Sequence, residues 1–347
     1  MYGSKRLIFD LSQIELVNWL SEQGEQGFRA QQIMFGLYQV LAEGFYEIST
    51  LPRDLQERLS LQFDTQGITP IRTLQSEDGQ TIKTLFKLSD GYLIEAVLMI
   101  YDQRRTVCIS TQSGCGLRCS FCATGQMGLA RNLSSGEIIA QVIHFARQLN
   151  GTGERITNIV FMGMGEPFHN YDNMMKALNL LNEPRAFGFG ARRMTISTAG
   201  IVPKIRKFAD TNTQINLAVS LHTVDDALRS KLMPINQKYP INDLLDACRY
   251  YIEKTNRRIT FEYALIEGLN DSKADAVSLA NRIKGMLCHV NLIPLNPTRK
   301  YNQKGSNENT VRAFANVLES HQIACSIRLR RGIEIGAGCG QLAAETE

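Results

Sequence analysis

Val107-Cys-Ile-Ser-Thr-Gln-Ser-Gly-Cys115-Gly-Leu-Arg-Cys119-Ser-Phe-Cys122 passes from a β-branched run into three cysteines spaced CxxxCxxC. The run predicts a strand over 105–110, and the glycine-rich, polar-flanked turn after it predicts a loop at that strand's carboxyl end. Downstream, strand-like and helix-like stretches alternate. Helical spacing covers 137–149, 171–181, 201–209, 242–255, 271–286 and 311–321; strand-like runs cover 158–162, 194–197, 216–221, 259–265, 289–294 and 324–328. About six such βα units predict a parallel sheet, open or curled into a partial barrel, with its reactive residues at the carboxyl ends of the strands.

Upstream of the cysteines the texture differs. Residues 12–22, 28–41 and 52–61 read as short helices; Ile14, Leu16, Val17 and Leu20 recur at helical spacing and Ser12 is placed to cap. Trp19, the single Trp, reads as core. Residues 84–88 and 92–99 are β-rich runs joined by the turn signal Asp90-Gly91. This divides the chain into a helical accessory domain (1–70), a β-rich connecting segment (71–100), an α/β core (101–335) and a C-terminal loop and tail (336–347).

The 347 residues are 44% hydrophobic and 21% charged, which excludes collagen-like, coiled-coil and disordered classes. A net charge of +4 conceals a split: residues 1–70 carry 5 basic and 9 acidic side chains, the remainder 33 and 25. A basic body of this kind suits a polyanion without naming one. No signal-peptide core follows Met1, and no window approaches the roughly 18 apolar residues of a membrane span. The reading is therefore cytoplasmic, where the eight cysteines are expected to bind metal or do chemistry rather than form stable disulfides.

Three thiolates on one tight loop can each hold one iron of a cubane cluster, leaving the fourth iron open to a chelating amine and carboxylate. Two plainer readings stand beside this: a zinc site, or small buried cysteines. Zinc normally takes four protein ligands, and no Cys or His follows Cys122 for more than twenty residues. Forty residues on, Ile159-Val-Phe-Met-Gly163-Met-Gly165-Glu166-Pro167 is a strand entering a glycine turn with a carboxylate; taken alone, it is a plain βα turn as readily as a ligand cradle.

With both stretches quoted, the sequence resembles the radical S-adenosylmethionine (SAM) superfamily. The resemblance implies a partial (β/α)6 barrel with the small helical domain as an N-terminal accessory, a [4Fe-4S] cluster on Cys115, Cys119 and Cys122, and a 5′-deoxyadenosyl radical made from SAM. It implies cofactor binding by Gly165 and Glu166, by Ser197 in Ile196-Ser-Thr-Ala-Gly200, by Ser220-Leu221-His222 and by Asn296. Alone, each of these reads as a turn or cap residue.

The likeness narrows further. Cys119-Ser-Phe-Cys-Ala-Thr-Gly125, Arg131-Asn-Leu, Met233-Pro-Ile-Asn236 and Cys339-Gly-Gln-Leu342 occur in the order found in the RlmN/Cfr family of RNA methyltransferases. That resemblance spans essentially the whole chain. It implies methylation of an adenosine in 23S rRNA and of adenosine 37 in some tRNAs. Two SAM molecules are consumed per turnover: Cys339 takes a methyl group from one, and radical chemistry joins that carbon to the base. Cys108 then attacks the Cys339 sulfur to release the product, with Glu95 as proton acceptor, and the resulting transient disulfide needs a cellular reductant. An electron donor and a monomeric enzyme are also expected. Pro167 points to C2 of adenine; C8 methylation is the first alternative, and a non-catalytic iron–sulfur RNA-binding protein the second.

Without the resemblance, Glu95 is an outward-facing strand carboxylate and Cys108 a core residue, whereas glycines flank Cys339 and allow its loop freedom. Cys248, Cys288 and Cys325 read as bystanders. Departures from the family pattern are Gly336-Ala-Gly338 before Cys339 and Phe168-His169 after the glycine turn. For RNA contact the candidates are Arg104-Arg105, Arg192-Arg193, Arg257-Arg258, Arg299-Lys300, Arg328, Arg330 and Arg331; Arg328 and Arg330, on one side of a strand near Cys339, are the preferred phosphate contacts. Paired basic residues otherwise mark solvated surface. An enzyme acting on a base edge needs the base unstacked, in a loop, junction or unfolded RNA.

Overall fold

The computed structural model describes residues 5–344. The N-terminal module contains β1 (Arg6–Leu7), α1 (Gln13–Glu22), α2 (Arg29–Tyr38), α3 (Arg53–Gln62) and β2 (Phe63–Asp64), with β1 and β2 paired in parallel. Ser12 and Glu15 form a reciprocal capping box at the start of α1. Leu16 and Leu20, one helical turn apart, face the core. Ile14, expected on the same face, lies half a turn away and is 74% exposed. Trp19 packs edge-on against Phe63 at 5.0 Å.

Next come β3 (Ile68–Gln75), β4 (Thr81–Leu88), β5 (Leu93–Ile100) and β6 (Arg105–Cys108). They are followed by β7 (Gln112–Gly114), α4 (Ala123–Met127), β8 (Leu129–Asn132), α5 (Ser135–Asn150), β9 (Asn158–Phe161), α6 (Tyr171–Asn182) and β10 (Met194–Thr198). The last third holds α7 (Val202–Asp210), β11 (Asn216–Ser220), α8 (Asp226–Leu232), α9 (Ile241–Thr255), β12 (Ile259–Leu265), α10 (Lys273–Ile283), β13 (Cys288–Pro294), α11 (Glu308–Ser320) and β14 (Cys325–Ile327).

Ten strands make one sheet in the order β14-β13-β12-β11-β10-β9-β6-β5-β4-β3. From β6 to β14 every pairing is parallel, as helical crossovers require. The sheet curls as a partial barrel, and β5, β4 and β3 extend it antiparallel from β6. This topology places the carboxyl ends of β6, β9, β10, β11, β12 and β13 together. The three cysteines lie between β7 and β8, whose antiparallel pairing closes the base of their loop. The short α4, α8, β7 and β8 carry too few residues for a periodic signal and go unread in the sequence.

The acidic module docks on the outer helices of the body. Asp10 accepts hydrogen bonds from Ser135 Oγ (2.9 Å) and Gly136 N (2.7 Å) at the start of α5, and Glu15 pairs with Lys176 at 2.8 Å. Arg147 of α5 donates to the carbonyls of Leu41 and Ala42. Part of the module's negative charge is thus neutralised against the basic body. Among the described residues no helix is long and apolar enough to cross a membrane.

His144, inside α5, meets the rings of Phe86 (4.9 Å) and Phe145 (5.1 Å) edge-on. Burial, aided by nearby Arg147, pulls its pKa down to about 4. An unfolded chain binds a proton at this site below pH ~6.5, but the folded chain does not until about 4. The contribution of His144 is therefore complete above pH ~6.5 and falls away on acidification, by roughly 2 kcal/mol at pH ~5. His144→Phe should shrink the drop in melting temperature between pH 7.5 and 5; an unchanged drop would remove His144 from the account.

Candidate active site

Four buried side chains organise the carboxyl end of the sheet. Ser110 donates through Oγ to Glu95 O (2.6 Å) and accepts from Met164 N (2.7 Å), so one hydroxyl ties β5 to the glycine turn. Gln141 of α5 exchanges two hydrogen bonds with the Ser110 backbone. Gln112 accepts from Glu166 N (2.7 Å) and donates to Asn132 (2.7 Å), joining the glycine turn to β8. Asn170 donates to the carbonyls of Thr111 and Leu133. The backbone of Ser110-Thr-Gln112 and the side chains of Ser110 and Gln112 are thereby engaged where no water reaches them, while the Thr111 hydroxyl is buried without a partner.

A cavity of about 170 Å³ opens above this layer. Cys115, Cys119 and Cys122 line it, with Gly163, Gly165, Glu166, Ser197, Ser220, His222, Asn296 and Cys339. The glycine turn is sterically obligatory: Gly165 has φ +99°, and a Cβ there would lie 2.5 Å from Gln112 Cβ. Glu166 is 3% exposed; burial pushes its pKa up to about 7 against the hydrogen bonds from Ala199 N (2.7 Å) and Phe168 N (3.0 Å). His222 accepts Ala264 N at Nδ1 (2.9 Å), which leaves the ring proton on Nε2. Burial, with Arg229 nearby, pulls its pKa down to about 3, so the ring is neutral. Asn296 Oδ1 is buried without a partner on the same wall.

Leu221 departs from the expected cofactor set. Ser220 and His222 border the cavity, whereas the Leu221 side chain is fully buried in the core between them. Its backbone still contributes, by donating to Glu262 O (3.0 Å) and accepting from Arg229.

The donor set fits an iron–sulfur cluster. Burial raises all three thiol pKa values, to about 12 for Cys115, and mutual repulsion adds to the rise at Cys119 and Cys115. A cationic group binding there would draw off those protons. Among the described residues no three His, Cys, Asp or Glu side chains gather as ligands of a single metal ion. Three thiols on one cavity wall, on a single short loop, suit a cluster in which each sulfur meets a different iron. The unpaired Asn296 oxygen and the glycine turn give a polar ligand beside it both an acceptor and space.

A second cavity of about 80 Å³ adjoins the first, and Cys108 and Cys339 both line it with Cys122 and Arg328. Two cysteines 231 positions apart in the sequence therefore face one small space, as free thiols. Burial pushes the Cys108 pKa up to about 12, with Cys339 adding to the rise and Arg328 opposing it. Gly338, in one departure from the family pattern, lies close to the Gln341 and Asn296 side-chain ends, 2.6 and 2.7 Å from where a Cβ would sit, and Asn296 Nδ2 donates to Cys339 O. Phe168, the other departure, is buried against Tyr171 and Phe208. Cys248, Cys288 and Cys325 lie outside both cavities.

Two sequence readings are corrected here. Glu95 is not an outward-facing carboxylate; it is 3% exposed and paired with Lys83 at 2.9 Å. Arg328 borders both cavities beside the thiols and is turned inward, so it is not a surface phosphate contact. Cys339 is the largest cause holding the Arg328 pKa above its ordinary value. Arg330 donates to Leu295 O and Arg331 to Ile100 O, as unpaired carbonyls near strand ends demand. Arg105 is paired with Glu154, while Arg192 and Arg257 are held by Gln214.

The strongest residue the sequence reading missed is Arg229, 1% exposed. Its guanidinium donates to Leu221 O (3.1 Å), Ser220 O (2.9 Å), Ala199 O (2.9 Å) and Asn236 Oδ1 (2.9 Å). It thereby stitches the ends of β10 and β11 to the Met233–Asn236 turn. A lone Arg in a short helix gave no pattern by which to find it. Glu262 was missed likewise; it is buried on the same cavity wall and held by Asn291 at 2.8 Å.

Comparison with known proteins agrees with this geometry. Residues 109–280 match the radical SAM superfamily, and residues 7–64 the ribosomal RNA large subunit methyltransferase N-terminal domain. A probable dual-specificity RNA methyltransferase RlmN of Geobacillus kaustophilus is 47% identical over 338 residues, covering 97% of this chain and 92% of the relative. The chain belongs to the RlmN family of radical SAM RNA methyltransferases. A Staphylococcus aureus protein of the same description is 47% identical over 341 residues, covering 98% of this chain and 93% of its own. The crystal structure of a radical SAM methyltransferase from Sphaerobacter thermophilus superposes with a TM-score of 0.96 at 47% identity, covering 98% of this chain and all of that one. Membership of the family implies a [4Fe-4S] cluster and SAM.

Arg229→Met would leave four buried acceptors without their donor, at a cost of roughly 3–5 kcal/mol. Arg229→Lys should recover only part, since an ammonium cannot reproduce the planar fork. Urea unfolding checks both; a Met variant as stable as the parent would contradict the stitching role.

Proposed function

We propose that this enzyme methylates C2 of an adenosine in 23S rRNA, and adenosine 37 of certain tRNAs, through a methyl group carried on Cys339. The observation that carries the reading is the adjoining pair of cavities: one offers the cluster thiols and the cofactor cradle, the other Cys108 and Cys339 together.

In this reading Cys115, Cys119 and Cys122 hold the cluster. Gly165, Glu166, Ser197, Ser220, His222 and Asn296 hold SAM, with Leu221 contributing backbone only. When bound, the cluster and SAM supply a 5′-deoxyadenosyl radical for hydrogen abstraction. Adenine C2 is an aromatic carbon with no lone pair to meet an electrophilic methyl group. Cys339 therefore takes the methyl first, its sulfur attacking the methyl carbon of one SAM as S-adenosylhomocysteine leaves; once that S-methyl has lost a hydrogen atom, its carbon bonds to adenine C2 and joins the base to Cys339. Arg328 lies beside both thiols and opposes the burial that raises the Cys108 pKa. Cys108 then attacks the Cys339 sulfur, the base leaves with its new methyl group, Glu95 accepts the proton, and the disulfide is reduced by an external thiol or protein donor.

RNA approach is assigned to a cavity of about 530 Å³ lined by Arg72, Lys83, Arg299 and Lys300 and walled by residues of the Cys339 loop. Of the basic groups noted in the sequence, Arg299-Lys300 is the one that borders this space.

Cys108→Ala should accumulate an RNA adduct joined to Cys339, visible as a mass shift; ready turnover without adduct would refute the resolving role. Mass spectrometry of digested product RNA should find 2-methyladenosine, and 8-methyladenosine alone would establish the rival regiochemistry. Replacing Arg299 and Lys300 by Glu should weaken RNA binding about tenfold or more and lower the salt slope by about two. Unchanged affinity would move the RNA path elsewhere.

A further inference from the structure

We infer that Lys83 is a positioning residue for the Cys339 loop, holding its start directly and its end through Glu95, and that opening this latch frees the Glu95 oxygen that clasps the tail. The inference rests on the reading of Cys339 as methyl carrier.

Lys83 and Glu95 sit on the adjacent strands β4 and β5, 12% and 4% exposed at their side chains, with Nζ 2.9 Å from Oε1. Lys83 also donates to Gly336 O (3.4 Å), where the loop begins. The other carboxylate oxygen, Oε2, accepts both Ala343 N (2.9 Å) and Ala344 N (3.1 Å), where the described tail ends. A single ion pair therefore closes residues 336–344 into a loop on the sheet, with Cys339 near its middle.

The contacts between those ends come from elements of the site itself. Ala123 N donates to Gly340 O (2.7 Å) and Thr124 Oγ1 to Leu342 O (2.6 Å), just beyond the cluster cysteines. Gly336 and Gly340 lie at φ +65° and +81°, so the backbone turns at glycine on either side of Cys339. A thiol that must first meet a methyl donor and later a base needs more than one position, and these glycines allow it.

Three donors occupy the two Glu95 oxygens while the tail is docked. A proton arriving at Oε2 has to displace the two tail amides. Tail release thus frees the carboxylate and the carrier loop in one event, so that Glu95 serves as a clasp before it serves as an acceptor.

Hydrogen exchange on the cluster-loaded full chain, without RNA or SAM, tests this directly. In Lys83→Met, peptides covering residues 336–344 should exchange about tenfold faster or more, with β10–β12 unchanged; alkylation of Cys339 by iodoacetamide should accelerate in parallel. Lys83→Arg should restore slow exchange, and Lys83→Gln serves if the Met variant does not accumulate. Unchanged exchange across 336–344 would overturn the latch. So would a rise shared equally by β10–β12, which would reduce Lys83 to a general stabiliser. Neither readout needs methyl transfer, so failure of the methyl-carrier reading, seen as Cys339 never methylated during turnover, would be told apart from failure of the latch.

Discussion

The site depends on the hydrogen bonds made by the Ser110–Gln112 backbone and by the Ser110 and Gln112 side chains where β6 runs out inside the barrel. Their partners lie on four separate elements: Glu95 O on β5, Gln141 on α5, the Met164 and Glu166 amides in the glycine turn, and Asn170 before α6. A buried polar group without a partner costs on the order of 1–3 kcal/mol, so these elements are held in one relative arrangement. The cysteine loop leaves directly from that layer. Its position relative to the glycine turn is thus set before any cofactor arrives.

A second buried hub, Arg229, does the same on the far side of the cavity. It satisfies carbonyls at the ends of β10 and β11 that have run out of strand partners, and it sits beside His222, which is kept neutral with its free N–H available. That cavity wall is consequently a set of strand ends fixed by side chains behind it. The side with Cys339 is built differently. That loop runs on glycine-rich backbone and is held by scattered hydrogen bonds, one ion pair and the buried Leu342 and Ala344, with fewer contacts than the strand ends opposite it.

Legibility in the sequence followed the range of the interactions. The helices α1, α5, α9 and α11 and the strands β9 to β14 announce themselves through local periodicity, because each buries one face against the same core. The error at Ile14 arose where an apolar residue falls on the wrong side of a helix, which periodicity over two turns does not resolve. Arg328 and Glu95 were misplaced for a related reason. Alternation along a strand tells which residues share a face, but not whether a charged face meets water or an interior partner, and both of these have interior partners. Leu221 was carried over with its neighbours although adjacent residues at a strand end point apart.

By itself, the sequence determined the alternating α/β core, the helical module before it, the cluster motif and the glycine turn. In each, the informative residues are neighbours along the chain, and the chemistry is written in their spacing. Only the tertiary structure decided that Cys108 and Cys339 share a cavity, that Arg229 closes the strand ends, and that Lys83 and Glu95 clasp the tail. Those contacts join residues as much as 253 positions apart. No local rule encodes them, because each is the outcome of burying polar groups whose partners are supplied only when the sheet curls.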